Sequence, residues 1–213
     1  MMKGIWFDNI HSFEDLNLIL SKVNIPPAVP KTSYVDIPGG DGSVDLTEAL
    51  GEVRYKDREA TITFTALPTD DFEEKKKEVS NLLNGMRFSR IIVDKDPEYF
   101  WVGRCKVNEY ASDKNLHKIV VGAVLSPYKL KVDKTIINVP SGENVAVLLE
   151  NGRKRVCPTI TNTKAATIIF EGNTYEISAG THTLLNIVLK FGQNNLVITS
   201  EGTTVLSYQE GDL

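Results

Sequence analysis

Ala60-Thr-Ile-Thr-Phe-Thr-Ala66 alternates apolar and β-branched polar residues without a break. In a strand, successive side chains point to opposite faces. Ala60, Ile62, Phe64 and Ala66 therefore share one buried face, and Thr61, Thr63 and Thr65 a wetter one. That is the pattern of a half-buried antiparallel strand. It predicts extended chain from Val53 to Ala66 and a fold whose core lies between a sheet and something covering it.

The cover follows directly. Asp70 to Asn84 reads as an α-helix, with Asp70 or Asp71 as its cap and Glu73 and Glu74 favouring its N-terminal end. Gly85 stops it. Phe72, Val79, Leu82 and Leu83 form one apolar stripe, with Lys75 to Glu78 on the wet side. Beyond it, Arg90–Asp94, Tyr99–Tyr110 and Leu116–Leu125 read as strands. The last two are joined by Ala111-Ser-Asp-Lys-Asn115, a connection of hairpin length. Both faces of Lys118–Leu125 are largely apolar, which places that strand centrally, between the helix and other strands.

Upstream, Lys3–Asp8 reads as a first strand. His11–Leu20 opens with Ser12 and Asp15 in the manner of a helix start, yet Leu18-Ile-Leu20 suits a strand, so a brief turn followed by extended chain is expected. Pro26, Pro27 and Pro30 forbid a helix and suggest an extended surface crossing. Then comes Ile37-Pro-Gly-Gly-Asp-Gly-Ser-Val-Asp-Leu-Thr-Glu48. Pro38 fixes its own φ, Gly39, Gly40 and Gly42 tolerate positive φ, and Asp41 and Ser43 tighten a turn through backbone hydrogen bonds. Pro38, Gly39, Gly40, Asp41, Gly42 and Asp45 are read as a shape-determining structural turn, with extended chain at Tyr34–Ile37 before it and Val53–Ala66 after it.

The texture changes between Ser126 and Glu143, where Pro127, lysines, Pro140 and Gly142 follow one another. Two domains are expected, 1–130 and 131–213. In the second, the runs Val145–Leu149, Thr167–Phe170, Thr174–Ile177, Thr183–Leu189, Asn195–Thr199 and Val205–Tyr208 alternate with turn residues. The turns include Asn151-Gly, Glu171-Gly-Asn and Glu201-Gly. That spacing predicts a small sandwich or jelly roll.

Composition bounds function. A net charge of −4 on 213 residues argues against a general nucleic-acid binder, which needs a basic face. No apolar run approaches the ~20 residues that span a bilayer, and no secretory leader is read at the N-terminus. Cys105 and Cys157 lie far apart in no paired motif, as expected of a protein assembled in a reducing compartment. Cys105 alternates inward with Trp101 and Val107, which suits a buried, inert thiol. Cys157 follows the basic segment Arg153-Lys-Arg155, a solvated turn, and is read as structural.

The glycine turn invites two ligand readings, and both templates are incomplete. A phosphate loop needs Lys-Ser/Thr after its last glycine, whereas Ser43-Val-Asp45 follows Gly42. Asp41, Ser43, Asp45, Thr47 and Glu52 fall at positions one, three, five, seven and twelve of a calcium-binding frame, but Leu46 occupies the position that requires glycine. His11, His117 and His182 have no metal-ligand spacing. Carboxylates are plentiful without any two standing out as an acid–base pair. Trp6, Trp101 and the tyrosines could stack on sugars, though packing is their commoner use. No catalytic, cofactor or metal residue is assigned, and no enzyme activity is expected.

Several stretches taken together carry a family resemblance. Phe7-Asp-Asn-Ile-His-Ser-Phe-Glu-Asp-Leu-Asn-Leu-Ile-Leu20 is similar to the opening of distal tail proteins of long-tailed, non-contractile (siphovirus-type) phages of Gram-positive hosts. The Ile37–Glu48 turn, with Gly51-Glu52, Tyr55 and Arg58 before a Thr-rich strand, resembles the next block of that family. The helix over 70–84 and the ending Leu125-Ser-Pro-Tyr128 fit as well. The match covers residues 1–130; one departure is Gly40, where the family often has a charged residue. The resemblance implies a mainly β chain with one helix: an N-terminal split-barrel-like, ring-forming domain and a short galectin-like sandwich. It implies a hexameric hub at the virion tail tip, assembled in the host cytoplasm. Its partners would be the tail-tube protein and the tail-associated and receptor-binding proteins. The other reading is a carbohydrate-binding module that recognises host-wall glycans through the C-terminal sandwich.

Overall fold

The computed structural model describes residues 4–49, 51–66, 71–113 and 116–213. The chain is mainly β, with a single α-helix among the described residues. It divides into two compact units, Met1–Pro127 and Tyr128–Leu213.

In the first unit the strands are β1 (Ile5–Phe7), β2 (Ile10–His11), β3 (Ile19–Asn24), β4 (Tyr34–Asp36), β5 (Ser43–Asp45), β6 (Arg58–Ala66), β7 (Arg87–Val93), β8 (Tyr99–Ser112) and β9 (His117–Leu125); α1 (Phe72–Leu83) lies between β6 and β7. An antiparallel sheet runs in the order β2-β1-β7-β8-β9-β6-β3. The alternation that predicted β6 is realised side by side with its neighbour: Ile62 pairs with Val121, and Phe64 with Ile119. Ala60, Ile62, Phe64 and Ala66 are buried, and they pack in one core with Phe7, Phe88, Val121 and Leu125. β9 lies between β8 and β6, as its two apolar faces require, although Val124 faces solvent.

α1 is capped by Asp71, whose carboxylate accepts from the N–H groups of Glu73 and Glu74. The expected alternative cap Asp70 lies outside the described residues, as do Lys3 of the first strand and Lys114 and Asn115 of the β8–β9 loop. Phe72, Val79 and Leu83 are buried, so the helix closes the core through the predicted stripe. Phe72 stacks on His117 at 4.1 Å, and Ser80 Oγ lies 2.6 Å from the hydroxyl of Tyr110.

The brief turn followed by extended chain expected over His11–Leu20 is present: residues 12–16 form a turn and β3 starts at Ile19. The Ser12 hydroxyl is buried and accepts from the N–H of Ile5 at 3.0 Å, tying the turn to β1. Three expectations are corrected. Residues 53–57 are outside any strand apart from an isolated bridge between Tyr55 and Pro30. Arg58, the first residue of β6, is buried and holds the proline-rich crossing by donating to the carbonyls of Pro26 and Pro127 at 3.2 and 2.8 Å. The second correction concerns Thr183–Leu189: the strand ends at Thr183, and Leu189 returns only as a single bridge to Val156. The third is the glycine turn, treated below.

The second unit contains β10 (Lys129–Lys131), β11 (Thr135–Val139), β12 (Gly142–Asn151), β13 (Thr159–Asn162), β14 (Ala166–Phe170), β15 (Asn173–Ile177), β16 (Gly180–Thr183), β17 (Gly192–Ser200), β18 (Thr204–Tyr208) and β19 (Gly211–Asp212). Two four-stranded sheets, β11-β18-β13-β16 and β12-β17-β14-β15, form a sandwich. Ile160 and Leu206 of one sheet share a core with Leu149, Ile168, Leu196 and Ile198 of the other. The hydroxyl of Tyr208 donates to the carbonyl of Glu150 at 2.5 Å. Burial, with Glu210 and Glu150 nearby, pushes this phenol up to about 12, so it remains a donor throughout the neutral range.

Candidate functional site

The glycine turn closes on itself. β4 and β5 pair antiparallel with Tyr34 opposite Asp45, Val35 opposite Val44 and Asp36 opposite Ser43. The connection was expected to join Tyr34–Ile37 to the strand before Ala66; instead it is the tip of a two-stranded arm. Gly39 and Gly42 have φ near +78° and +77°, a region costly for any residue with a Cβ. Gly40 has no positive φ, and an added Cβ there would have its nearest contacts with atoms of Ile37, at 3.3 Å and beyond.

The arm is held at its base. Leu46 N–H donates to the Ser33 carbonyl at 2.8 Å, and Lys31 N–H to that of Arg54 at 2.7 Å. The Asp45 carboxylate accepts from Thr47 N–H at 2.9 Å. Bonds from the Thr47 side chain and backbone hold the Asp45 carboxyl below its ordinary value. The calcium frame beginning at Asp41 thus runs through β5 and spends Asp45 on Thr47. Among the described residues no cluster of three or more His, Cys, Asp or Glu is placed to hold a metal ion.

Side chains alternate along the arm, so Val35 and Ile37 share a face with Val44 and Leu46. These four are between 42% and 50% exposed, and no side chain from Val29 to Leu46 is buried. The arm also carries Asp36, Asp41, Asp45 and Glu48. A two-stranded hairpin is marginal on its own in water, and an apolar face at this exposure is characteristic of an interaction surface. A second pairing surface is the outer edge of β3, which ends the sheet.

The other candidates resolve into packing. Trp101 is buried, and the half-buried Trp6 packs on the ring of His11 at 4.6 Å. His11 is buried; its Nε2 faces Asp94 Oδ2 at 3.3 Å and its Nδ1 accepts from Glu14 N–H at 3.2 Å. Cys105 is fully buried, and burial pushes its thiol up to about 12. Cys157 is half-buried. A thiol reagent at pH 8 is therefore expected to titrate one cysteine in the native protein and two in denaturant. Two fast-reacting thiols in the native state would contradict the packing around Cys105. No described helix is long and apolar enough to cross a membrane.

This fold, a single-helix antiparallel unit followed in sequence by a β-sandwich, is similar to that of a solved phage tail hub protein. The solved structure that carries this comparison is the SPP1 Dit (gp19.1) protein, a paradigm of the hub adsorption apparatus in phages that infect Gram-positive hosts. The two match with a TM-score of 0.72 and 14% sequence identity over 100% of both chains. No family model and no curated protein matches the sequence.

Proposed function

We propose that this protein is a structural hub of a phage tail tip: a distal tail protein that closes into a ring, expected to be hexameric, between the tail tube and the tail-associated and receptor-binding proteins. It works in the virion and assembles in the host cytoplasm. It contributes shape and contacts, not catalysis. The observation that carries the reading is the full-length match of both units to a tail hub protein. The arm supports it, because an arm on one copy and a different surface on the next make a heterologous contact, the kind that closes rings.

The test is native mass spectrometry of the protein alone and mixed with a tail-tube protein from the same genome. A ring of fixed stoichiometry, formed alone or on mixing, is expected. A strict monomer that ignores the tube protein in both conditions would overturn the reading. In this reading Pro38, Gly39, Gly40, Asp41 and Gly42 shape the arm tip, and Asp45 holds its base. Gly42→Val forces a β-branched residue into positive φ with open space around it, a local strain of about 1–3 kcal/mol. Because the arm buries nothing, the variant is expected to melt like wild type and to assemble less well. A lowered melting temperature with normal rings would place the glycine's role in folding instead.

A further inference from the structure

The first unit carries a cleft of about 660 Å³ where the chain leaves α1 and enters β7. Its walls follow from register. Arg87 of β7 stands opposite Arg104 of β8, and Arg104 opposite Val124 of β9. Residues opposite one another on paired strands share a face, and Lys106, two residues along β8, shares it too. This face is turned away from the core, because Cys105, between Arg104 and Lys106, is fully buried. Arg87, Arg104, Lys106 and Val124 are all exposed.

The charged lining is rich in donors. Arg104 Nη1 donates to the Gly85 carbonyl at 2.5 Å, which orients the guanidinium and leaves its remaining N–H groups to the cleft. Asn84 Oδ1 accepts from Val107 N–H at 3.0 Å, so the Asn84 NH2 group is the part of the amide left to donate. Among the described residues none of Arg87, Arg104 and Lys106 is in an ion pair within 4.0 Å. The only carboxylate in the lining is that of Asp57. Like charges directly opposite one another on neighbouring strands destabilise a sheet. On a chain whose net charge is −4, two opposed arginines and a lysine in one cleft form a positive surplus that Asp57 alone does not balance.

We infer that the cleft binds an organic phosphate, with its phosphoryl group held between Arg87 and Arg104. Two guanidinium forks on adjacent strands converge on one anion. A carboxylate offers two oxygens, which a single fork fills. A phosphate monoester offers three strong acceptor oxygens and close to two negative charges at neutral pH, so it serves both forks. A phosphodiester has one charge and two free oxygens per phosphate, and is held less well. Lys106 and Asn84 add further donors. The cleft is of the size of small-molecule sites and larger than a phosphoryl group alone requires. Val124 gives the rest of the ligand an apolar wall. The inference is independent of the hub reading, because it concerns a small ligand on each copy whatever assembly the copies form.

The experiment is isothermal titration calorimetry of the full-length protein with phenyl phosphate at fixed low ionic strength. Inorganic phosphate, benzoate and diethyl phosphate are the comparison ligands, and circular dichroism is the folding control. One saturable site per chain is expected for phenyl phosphate, at least about tenfold tighter than for benzoate or diethyl phosphate. Inorganic phosphate is expected to compete for the same site and to bind more weakly. Arg87→Gln is expected to weaken phenyl phosphate roughly tenfold to a hundredfold, the loss of hydrogen bonds to a charged group. Asp57→Asn removes the opposing carboxylate and is expected to tighten binding, which a merely structural role for these residues would not do. Binding is also expected to weaken as pH falls through about 6, where the monoester loses its second charge. No saturable binding of phenyl phosphate, equal or tighter binding of any comparison ligand, or unchanged affinity in either variant would overturn the inference. Ring assembly is read separately by native mass spectrometry, so each of these results leaves the hub reading intact.

Discussion

Gly103→Ala is expected to destabilise the first unit by about 3 kcal/mol, the upper end of the usual cost of overpacking and a large fraction of a marginal domain's stability. The reason is close approach. Gly103 sits on β8 opposite Leu125 of β9. A Cβ at position 103 would lie 2.6 Å from the Val124 carbonyl oxygen, 2.7 Å from Leu125 Cδ2 and 3.1 Å from Leu125 Cα. Two of these three atoms are backbone, which cannot swing aside. Relief requires β8 and β9 to part where Cys105 and Ala123 pack in the core, and ladder hydrogen bonds worth about 1 kcal/mol each go with them. Gly122→Ala is the matched control. Its Cβ would also come within 2.5 Å of another atom, but that atom is the end of the exposed Asn108 side chain, which can rotate away. Its cost is expected to stay below about 1 kcal/mol. Both tryptophans lie in the first unit, so tryptophan fluorescence during urea unfolding follows that unit alone. Equal midpoints for the two variants would show that β8 and β9 are not in such tight contact.

The contrast between these glycines also marks what a sequence makes legible. β6 was readable because alternation records burial directly: Ala60, Ile62, Phe64 and Ala66 are the residues that face the core. α1 was readable because its cap, its acidic first turn and its apolar stripe are all local signals. β13 went unread because Thr159-Ile-Thr-Asn162 offers one apolar residue in four, and its strand state comes from pairing on both sides with β16 and β18. Thr183–Leu189 misled for the converse reason. Its apolar residues Ile187 and Leu189 are buried, but from a loop rather than a ladder, so hydrophobicity was right and periodicity was not.

The site divides in the same way. The glycine turn announced a tight connection, and Gly39 and Gly42 do occupy the conformations that need glycine. What it connects was not legible, because β4 and β5 are three residues each and entirely exposed, with no buried face to leave an alternating pattern. The cleft was less legible still. Arg87, Arg104 and Val124 are far apart in the chain and become neighbours only once β7, β8 and β9 are aligned in register.

Removing the arm tests whether that exposed hairpin has a role beyond its own fold, and the expected result is loss of assembly without loss of stability. Ser33 and Leu46 are already joined by a backbone hydrogen bond, so Tyr34–Asp45 can be replaced by a two-residue Asn-Gly turn without strain at the junction. The excised residues bury no side chain, so the unfolding free energy of the first unit is expected to change by no more than about 0.5 kcal/mol. Assembly responds on a different scale. Val35, Ile37 and Val44 are each about half exposed, and covering what remains is worth roughly 0.7–1.5 kcal/mol per side chain, half the value of full burial. Three such residues give about 2–4 kcal/mol for each docked arm, before any contribution from Asp36, Asp41 and Asp45. At 1.4 kcal/mol per decade this is between one and three orders of magnitude in affinity at every interface. The ring proposed above needs all its interfaces at once, so the arm-less protein is expected to run as a monomer at concentrations where the wild type assembles. Sedimentation velocity across a dilution series measures both species. Arm-less rings with an unchanged dissociation midpoint would move the assembly interface elsewhere, most directly to the open edge of β3.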